Sequence, residues 1–556
     1  MVGVAALWSG AMREPGGQPA AAHRRPAHMT SGKTSPDSAC AGCHRAIYER
    51  YEATPMARAS GPAMQGITLG SYDHALSGVQ YRIYLHDGHV WMSYARPATA
   101  PGGGLDGSVR FDSFLGSNTR GRTYLWEREG YWFEAPVNWY AKKQLWDMTP
   151  NYQQAREMPL TLPVDPNCLH CHASRVAENL PGARNHYAGA PFGAGGILCE
   201  DCHGDTSEHV RTEGRAPVLN PAKLNPARRD SVCLQCHLEG ETAVYRLGHS
   251  LAEFRSGERL FDSVAYFVHQ GEVGPGGRAT SQYEALLASA CKRASGDRLT
   301  CTTCHDAHGT ESTATAEARV AWYRSRCLSC HTGAKFATEH HPEQPDCASC
   351  HMPRSRSEDV AHEQVTDHRI QIPGGARLDH ASATGALVPI GHEEATDREL
   401  GLAYAQMAHR GDRAAAEKAQ SLLRKAEAAE PPGTKDARLH TELGFLDQES
   451  GDIHGADGEY RLALAADPDD GTARGNLAVL FAQTGDFATA VRLWQRVFDA
   501  DPAQQAAGYN LALGQCRLGR KADAEATLER LLRFAPDDQR ARGMARALRS
   551  GSLGCP

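Results

Sequence analysis

Residues 196–210 read GILCEDCHGDTSEHV, and this stretch decides how the region around it is built. Its core, Cys199-Glu200-Asp201-Cys202-His203, has the CxxCH form of a site that binds haem c covalently. Two thiols at this spacing add across the vinyl groups of haem, and the next residue places its imidazole on the iron. A second histidine, His209, follows six residues later. Because His203 already supplies one axial ligand, the stretch raises the question of which iron His209 serves.

The CxxCH pattern occurs seven times and uses fourteen of the 17 cysteines. A single CxxC pair is often half of a zinc site or a redox dithiol. Zinc does not require a histidine after every pair, whereas every pair here has one, so the sequence predicts seven haem c groups. The sites, numbered in chain order, are Cys40/Cys43/His44, Cys168/Cys171/His172, Cys199/Cys202/His203, Cys233/Cys236/His237, Cys301/Cys304/His305, Cys327/Cys330/His331 and Cys347/Cys350/His351.

Three cysteines lie outside these sites. Cys516 falls in a predicted helix, where we expect a buried, apolar-type side chain, and nothing in the sequence assigns Cys555. Cys291 comes ten residues before site 5, and a free thiol, a disulfide and a buried side chain all remain open for it.

Composition excludes several classes of protein. Charged residues make up 22% of the 556-residue chain and the formal net charge is -7, so there is no basic excess for binding nucleic acid. No run approaches the 18 apolar residues of a transmembrane helix. Covalent haem is attached outside the cytoplasm, so we expect a periplasmic or extracellular protein. The N-terminus is a poor secretory signal, and we expect a disordered leader at 1–36 and a signal peptide upstream of Met1.

The interval between sites 1 and 2 has the pattern of β-structure. Site 1 occupies 37–66, and residues 67–150 hold five of the eight tryptophans in alternating segments. The turn signals Asp87-Gly88 and Glu129-Gly130 predict two hairpins. We therefore predict a small antiparallel β-module whose aromatic side chains form its core: Trp91, Trp126, Trp132, Trp139 and Trp146.

Six sites are packed between residues 166 and 352, inside a predicted cytochrome domain at 151–392. So little chain for each haem cannot build a conventional core. We therefore expect irregular, α-rich structure of short helices and loops wrapped around porphyrins, with neighbouring haems close enough for electron tunnelling.

The last part of the chain, 393–556, repeats every 34 residues. This period and its landmarks are those of the tetratricopeptide repeat, with two helices per repeat. A degenerate first unit is predicted at 396–431, with Gly411 at its turn and Ala416 at its helix contact. The landmarks of the other three repeats are Leu443/Leu477/Leu511, Gly451/Gly485/Gly519, Ala456/Ala490/Ala524 and Pro468/Pro502/Pro536.

Seven proximal histidines leave seven sixth positions to be filled. A loop of six residues cannot easily pass around the rim of a macrocycle, so His209 is expected to reach a haem other than that of site 3, and His308 is expected to do the same beside site 5. For the isolated site 1, Met56 and His74 compete, and methionine would raise the reduction potential. The other candidate distal ligands are His249, His269, His340, His341, His362 and His368.

Residues 166–370 resemble the multihaem superfamily that contains ammonia-forming nitrite reductase, hydroxylamine oxidoreductase and the tetrahaem cytochrome of ammonia oxidisers. The matching stretches are CEDCHGDTSEH, CTTCHDAHG and HHPEQPDCASCHMPRSRSEDVAHEQVTDHRI. The resemblance implies that His209, His308 and His368 are distal ligands to other haems. Nitrite reductases of the superfamily carry CxxCK at the catalytic haem, whereas all seven sites here end in histidine. The whole order of segments also resembles exported multihaem cytochromes with tetratricopeptide repeats.

Three functions remain open at this point. The favoured one is an electron carrier between redox partners, with the repeat domain docking a partner protein. The alternative is an oxidoreductase of nitrite, hydroxylamine or a sulfur compound, which requires one iron with an open sixth position. A third is a scaffold protein whose haems serve assembly.

Overall fold

The structure is a computed structural model that describes residues 37–270, 281–333, 336, 345–354, 366–372, 385–431 and 433–555. The predicted leader at 1–36 lies outside the described residues, as do the candidate ligands His340, His341 and His362.

Helix α1 (Ser38–Tyr51) carries site 1, and eleven strands follow it in two antiparallel sheets. The four-stranded sheet has the order β2 (Gly70–His74), β3 (Val79–His86), β4 (His89–Arg96) and β5 (Leu105–Phe111). The seven-stranded sheet runs β1-β6-β7-β8-β11, with β9 on β7 and β10 on β9. Its strands are β1 (Ser60–Pro62), β6 (Ser113–Leu115), β7 (Gly121–Arg128), β8 (Tyr131–Glu134), β9 (Val137–Tyr140), β10 (Leu145–Met148) and β11 (Leu162–Pro163).

Both predicted hairpins are confirmed. His86 pairs with His89 across Asp87-Gly88, and Arg128 pairs with Tyr131 across Glu129-Gly130. All four turn residues have positive φ, between 49° and 84°, which is the backbone of a tight hairpin turn and favours glycine at its second position. Four of the five tryptophans are buried in the core, whereas Trp91 lies half-buried on the outer face of β4.

The region of sites 2–7 contains short helices, as expected, and also two small sheets that were not expected. The helices are α2 (Pro166–His172), α3 (Cys199–His203), α4 (Ser207–Arg211), α5 (Pro226–His237), α6 (Gln282–Leu287), α7 (Ala290–Ser295), α8 (Cys301–Cys304), α9 (Ala316–Leu328) and α10 (Cys347–His351). The sheets pair β12 (Ala173–Val176) with β13 (Phe192–Gly195), and β14 (Thr242–Tyr245) with β15 (Val264–His269) and β16 (Leu387–Pro389). The apolar segments TAVY and VAYFVH favour strands because their β-branched and aromatic side chains pack on a pleated surface.

The C-terminal region is all-helical and carries tetratricopeptide repeats. Its helices are α11 (Asp397–Ala408), α12 (Arg413–Ala429), α13 (Ala437–Ser450), α14 (Ile453–Ala466), α15 (Gly471–Gln483), α16 (Phe487–Ala500), α17 (Gln505–Arg517), α18 (Lys521–Phe534) and α19 (Gln539–Ser550). The landmark alanines Ala456, Ala490 and Ala524 are fully buried, which lets the paired helices approach closely. In the first unit Ala416 packs against the core, but the fully enclosed side chains beside it are Ala415 and Ala419.

The repeats pack against the rest of the chain at both ends. At the first end, α11 shares one hydrophobic core with β14, β15 and β16, and Gln406 donates a hydrogen bond of 3.0 Å to the carbonyl of Ala243. At the other end, Phe534 lies in the core of the β-module against Tyr131 and Phe133. The repeat region therefore contributes side chains to two hydrophobic cores, one with β14–β16 and one in the β-module.

Cys516 is buried, as expected, but its thiol is joined to Cys555 in a disulfide that spans 39 residues. Disulfides persist in oxidising compartments outside the cytoplasm. Among the described residues, no helix is both long and apolar enough to cross a bilayer.

Replacing Cys555 with serine should lower the free energy of unfolding by about 2–4 kcal/mol, because the disulfide restricts the unfolded chain. Thermal unfolding of the holoprotein with and without a thiol reductant measures the loss. The reductant should change the stability of the parent protein and leave that of the serine variant unaltered.

Candidate haem sites

A single cavity of about 3390 Å³ connects the seven CxxCH sites. The histidine of every site lines it, together with every site cysteine except Cys350. A pocket for one small ligand measures about 300–1,000 Å³, so this cavity has room for several large cofactors.

The arrangement of ligands does not fit zinc. A structural zinc ion needs four nitrogen or sulfur atoms that converge on one point. In the described part of the chain, three or more potential metal ligands converge in only two places: at Asp37, Cys40 and Cys199, and at Glu427, His440 and Glu459. Neither group holds the cysteine pair and histidine of a single site. A large cavity lined by all seven motifs fits covalent haem instead.

Three pairs of histidine rings face each other at the separation that one iron requires. The ring centres are 6.4 Å apart for His44 and His209, 6.1 Å for His203 and His308, and 6.3 Å for His305 and His368. With metal–nitrogen bonds of about 2.0–2.1 Å, two imidazoles on opposite sides of one metal ion have ring centres about 6 Å apart. Each pair combines a CxxCH histidine with a histidine outside the seven motifs.

Hydrogen bonds at Nδ1 of three of these rings, and of His351, leave Nε2 as the nitrogen available to a metal. His203 donates from Nδ1 to the carbonyl of Leu219 at 2.8 Å, and His209 donates to that of Ala216 at 2.7 Å. His368 donates from Nδ1 to the carbonyl of Thr366 at 2.8 Å. His351 of site 7 donates from Nδ1 to the carbonyl of Gln371 at 2.7 Å. Such a partner on the second ring nitrogen is typical of histidines that bind metals, because it fixes the tautomer and the ring orientation.

Burial also favours the neutral, metal-binding form of two candidate distal ligands. Removal from water lowers the pKa of His308 and of His368. The neutral imidazole, which is the form that binds iron, is therefore favoured at neutral pH.

Site 1 is separated from the others in sequence but not in space, which corrects the expectation that it is isolated. The thiols of Cys40 and Cys199 lie within 4.8 Å of each other, and Asp37 accepts a hydrogen bond of 2.8 Å from the backbone N–H of Cys199. Gly196 makes this approach possible. It has a φ of 70°, and a Cβ there would lie 2.1 Å from the carbonyl oxygen of Ala57.

Contacts between segments place the remaining sites in a connected series. Helix α5 carries site 4, and it is contacted by Cys171 of site 2, whose thiol donates to the Gln235 carbonyl at 3.6 Å, and by Cys301 of site 5, whose backbone N–H donates to Asp230 at 3.0 Å. Trp322 of α9, the helix that leads into site 6, donates to the carbonyl of Cys304 at 2.9 Å, and α10 with site 7 contacts α9. Site 4 therefore adjoins sites 2 and 5, and site 6 lies between sites 5 and 7.

The other candidate ligands fall into two groups. Met56 lines the cavity, whereas His74, His249 and His269 do not. His74 is buried in the β-module, where its ring nitrogens contact Ser77 Oγ at 2.8 Å and the carbonyl of Gln153 at 3.0 Å. His249 is exposed, and His269 pairs with Glu241. At site 1 the ring of His209 lies opposite that of His44, and Met56 stays a candidate because it also lines the cavity.

One residue beside the haem sites was missed from the sequence. Glu311 is 4% exposed, and its carboxylate accepts a hydrogen bond of 3.2 Å from Nδ1 of His305. Burial raises the pKa of Glu311, but the hydrogen bonds from His305 and from backbone N–H groups outweigh it and leave the pKa below its ordinary value. A single glutamate six residues after a ligand carries no recognisable signal in the sequence.

Two family models match this chain. Residues 137–204, which include sites 2 and 3, match the model for cytochrome c554 and c-prime, and residues 481–548 match a tetratricopeptide repeat model. The first match implies haem c as a cofactor, and the second supports protein–protein interaction as a role of the C-terminal region.

Individual relatives cover only parts of the chain. Cellulose synthase operon protein C of Pseudomonas fluorescens (strain SBW25) is 34% identical over 91 residues, which are 16% of this chain and 7% of that protein. Among solved structures, MamA AMB-1 is 19% identical and covers 28% of this chain and 80% of its own, with a TM-score of 0.25. A tetratricopeptide repeat protein from Parabacteroides merdae ATCC 43184 is 23% identical and covers 27% of this chain and 58% of its own, with a TM-score of 0.25.

Proposed function

We propose that this chain is a seven-haem c-type cytochrome that carries electrons between redox partners outside the cytoplasm. The observation that supports this best is the three facing histidine pairs inside one cavity that reaches all seven CxxCH sites. Haem c supplies an iron that takes up and releases one electron without making or breaking a bond. The histidines of the facing pairs would hold that iron.

The ligand sets of three sites follow from these pairs. His44 and His209 would hold the iron of site 1, His203 and His308 that of site 3, and His305 and His368 that of site 5. The two histidines of each pair come from different segments of the chain, so each haem would link two segments. The distal ligands of sites 2, 4, 6 and 7 stay predictions, with His340, His341 and His362 as their candidates.

Electrons would enter and leave at the ends of the series. Three site cysteines are exposed: Cys43 of site 1, Cys330 of site 6 and Cys350 of site 7. The cysteines of sites 2–5 are half-buried in the middle of the protein. Transfer through space needs close approach, and so a partner can reach the exposed ends more readily than the enclosed centre.

The tetratricopeptide repeats would dock a partner protein next to this series. Gln406 of their first helix, α11, and Arg410, which follows that helix, line the haem cavity. Solenoids of this type present an extended concave surface for binding. A partner held there would lie beside the haems, which is the placement that electron transfer requires.

The location outside the cytoplasm has two supports. Covalent haem is attached there, and the disulfide between Cys516 and Cys555 is of the kind that such compartments preserve. Fractionating cells that make the full-length protein tests this placement.

Purified holoprotein is expected to contain seven haem groups and to show only low-spin ferric signals in its electron paramagnetic resonance spectrum. Haem content per chain comes from the pyridine haemochrome assay and from the mass of the intact protein. Fewer than seven haems would overturn the count. A high-spin ferric signal that shifts on addition of nitrite or hydroxylamine would favour the alternative function, an oxidoreductase with one open iron.

A further inference from the structure

The proximal histidine of site 5 differs from four other described ligands in what its Nδ1 atom contacts. His203, His209, His351 and His368 all donate from Nδ1 to a neutral backbone carbonyl at 2.7–2.8 Å. His305 faces the Glu311 carboxylate, with 3.2 Å between Nδ1 and Oε1. This contact brings a full negative charge to the ligand of one haem.

Glu311 is held firmly in this position. Its side chain is 5% exposed, and both carboxylate oxygens accept the backbone N–H of Asp306, at 3.3 and 3.1 Å. Arg319 of α9 donates to the backbone carbonyl of Glu311 at 3.2 Å. The carboxylate is therefore fixed against His305 and is shielded from water, which would otherwise screen its charge.

A second carboxylate near a ligand is placed less favourably. Asp306 Oδ1 lies 3.4 Å from Nδ1 of His308, the partner of His203 at site 3. The Asp306 side chain is 24% exposed, against 5% for Glu311, so water screens its charge more effectively. The Asp306 carboxylate also accepts hydrogen bonds from the backbone N–H of His308 and from the hydroxyl of Thr310. Its effect on site 3 is expected to be smaller than that of Glu311 on site 5.

We propose that Glu311 is a positioning residue that gives site 5 the lowest reduction potential among the three sites with facing histidine pairs. A carboxylate that accepts the Nδ1 proton makes the imidazole a stronger electron donor to the metal. Stronger donation and a nearby buried negative charge both favour the oxidised iron, whose charge is higher by one. This inference rests on the proposed function, because it assumes haem at site 5.

The position of site 5 in the series gives this residue a role. Among the described residues, site 5 contacts the helix of site 4 through Cys301 and Asp230, and the helix of site 6 through Cys304 and Trp322. A potential at site 5 below those of sites 1 and 3 would make transfer from these two sites to site 5 an uphill step. Glu311 would then control how quickly electrons pass from sites 1 and 3 through site 5.

The Glu311→Gln variant tests the proposal, because glutamine keeps the shape and a hydrogen-bond acceptor while it removes the charge. At a fixed solution potential, we expect the oxidised-to-reduced ratio of one haem to fall at least tenfold, which is about 59 mV for a one-electron couple. The measurement is a redox titration of the holoprotein with dithionite and ferricyanide, followed through the low-spin ferric resonance signals. The other six signals should keep their midpoints.

Two further variants separate charge from structure. Glu317→Gln removes the same charge from an exposed position on α9 and should leave every midpoint unchanged. Glu311→Asp keeps the charge on a shorter side chain, so its haem should shift in the same direction but by less than in Glu311→Gln. If Glu311→Gln retains seven haems and no midpoint rises, the proposal is wrong, and an equal shift of all seven would also overturn it. Absence of haem at site 5 in the parent protein would overturn both this inference and the proposed function.

Discussion

Replacing His209 with alanine is expected to open the sixth position of the iron at site 1 and to leave the iron of site 3 unchanged. The result is not the one that chain order suggests, because His209 follows the site 3 motif by only six residues. In space its ring centre lies 6.4 Å from that of His44, while His203 faces His308 at 6.1 Å. The variant should therefore lose one low-spin ferric signal and gain one high-spin signal.

Electron paramagnetic resonance of the oxidised holoprotein measures this change, and added cyanide should bind one iron per chain. The loss of the 2.7 Å hydrogen bond between His209 and Ala216 costs about 1 kcal/mol, too little to unfold the protein. His249→Ala is the control, since His249 is exposed and does not line the cavity.

His308→Ala should produce the matching change at site 3. The two variants therefore open different irons, and each high-spin signal can be assigned by comparing them. If His209→Ala removed the site 3 signal, the crossed pairing would be refuted. If it left all seven irons low-spin, Met56, which also lines the cavity, would be the replacement ligand to test.

Sequence patterns predicted the local structure well, because short-range chemistry determines it. The hairpin at Asp87-Gly88 needs two residues with positive φ, and the structure has φ values of 49° and 73° there. Gly485 ends the first helix of its repeat with a φ of 88° and open space around it, so the 34-residue period marks a real backbone requirement. The CxxCH motifs are equally local, since both thiols and the histidine lie within five residues.

Contacts between distant segments were not predictable in the same way. Site 1 was expected to be isolated because 124 residues without a motif follow it, yet Cys40 lies beside Cys199. Nothing in the composition pairs Cys516 with Cys555, and nothing marks β14, β15 and β16 as the surface on which α11 packs. Such contacts depend on how whole elements are placed, which hydrophobic periodicity does not encode.

Replacing Asp537 with alanine is expected to lower the free energy of unfolding by about 3–5 kcal/mol, because it leaves the Arg96 guanidinium buried without its counter-charge. Asp537 lies between α18 and α19, and Arg96 ends β4. Their side chains are 0% and 1% exposed, and Arg96 Nη1 donates to Asp537 Oδ2 at 2.9 Å. Asp537 also accepts the backbone N–H of Met158 at 2.8 Å.

Chemical denaturation of the holoprotein, followed by tryptophan fluorescence and by the haem absorbance, measures this loss. The matched control is Glu129→Gln, which removes an ion pair of 3.6 Å with Arg533 across the same interface. Both of those side chains are about half exposed, at 45% and 57%, so this change should cost less than about 1 kcal/mol.

A double replacement separates the cost of an unpaired charge from the cost of losing the contact. Replacing Arg96 with methionine and Asp537 with leucine removes both charges, and well-packed apolar side chains at a buried pair are often as stable as the pair itself. We therefore expect the double variant to be more stable than Asp537→Ala. The interaction free energy between the two sites should be well above the deviation from additivity that independent sites show. A double variant no more stable than the single one would mean that Asp537 acts mainly through Met158. Point variants are the better way to change this interface, because deleting 393–556 would expose the cores around Phe534 and α11.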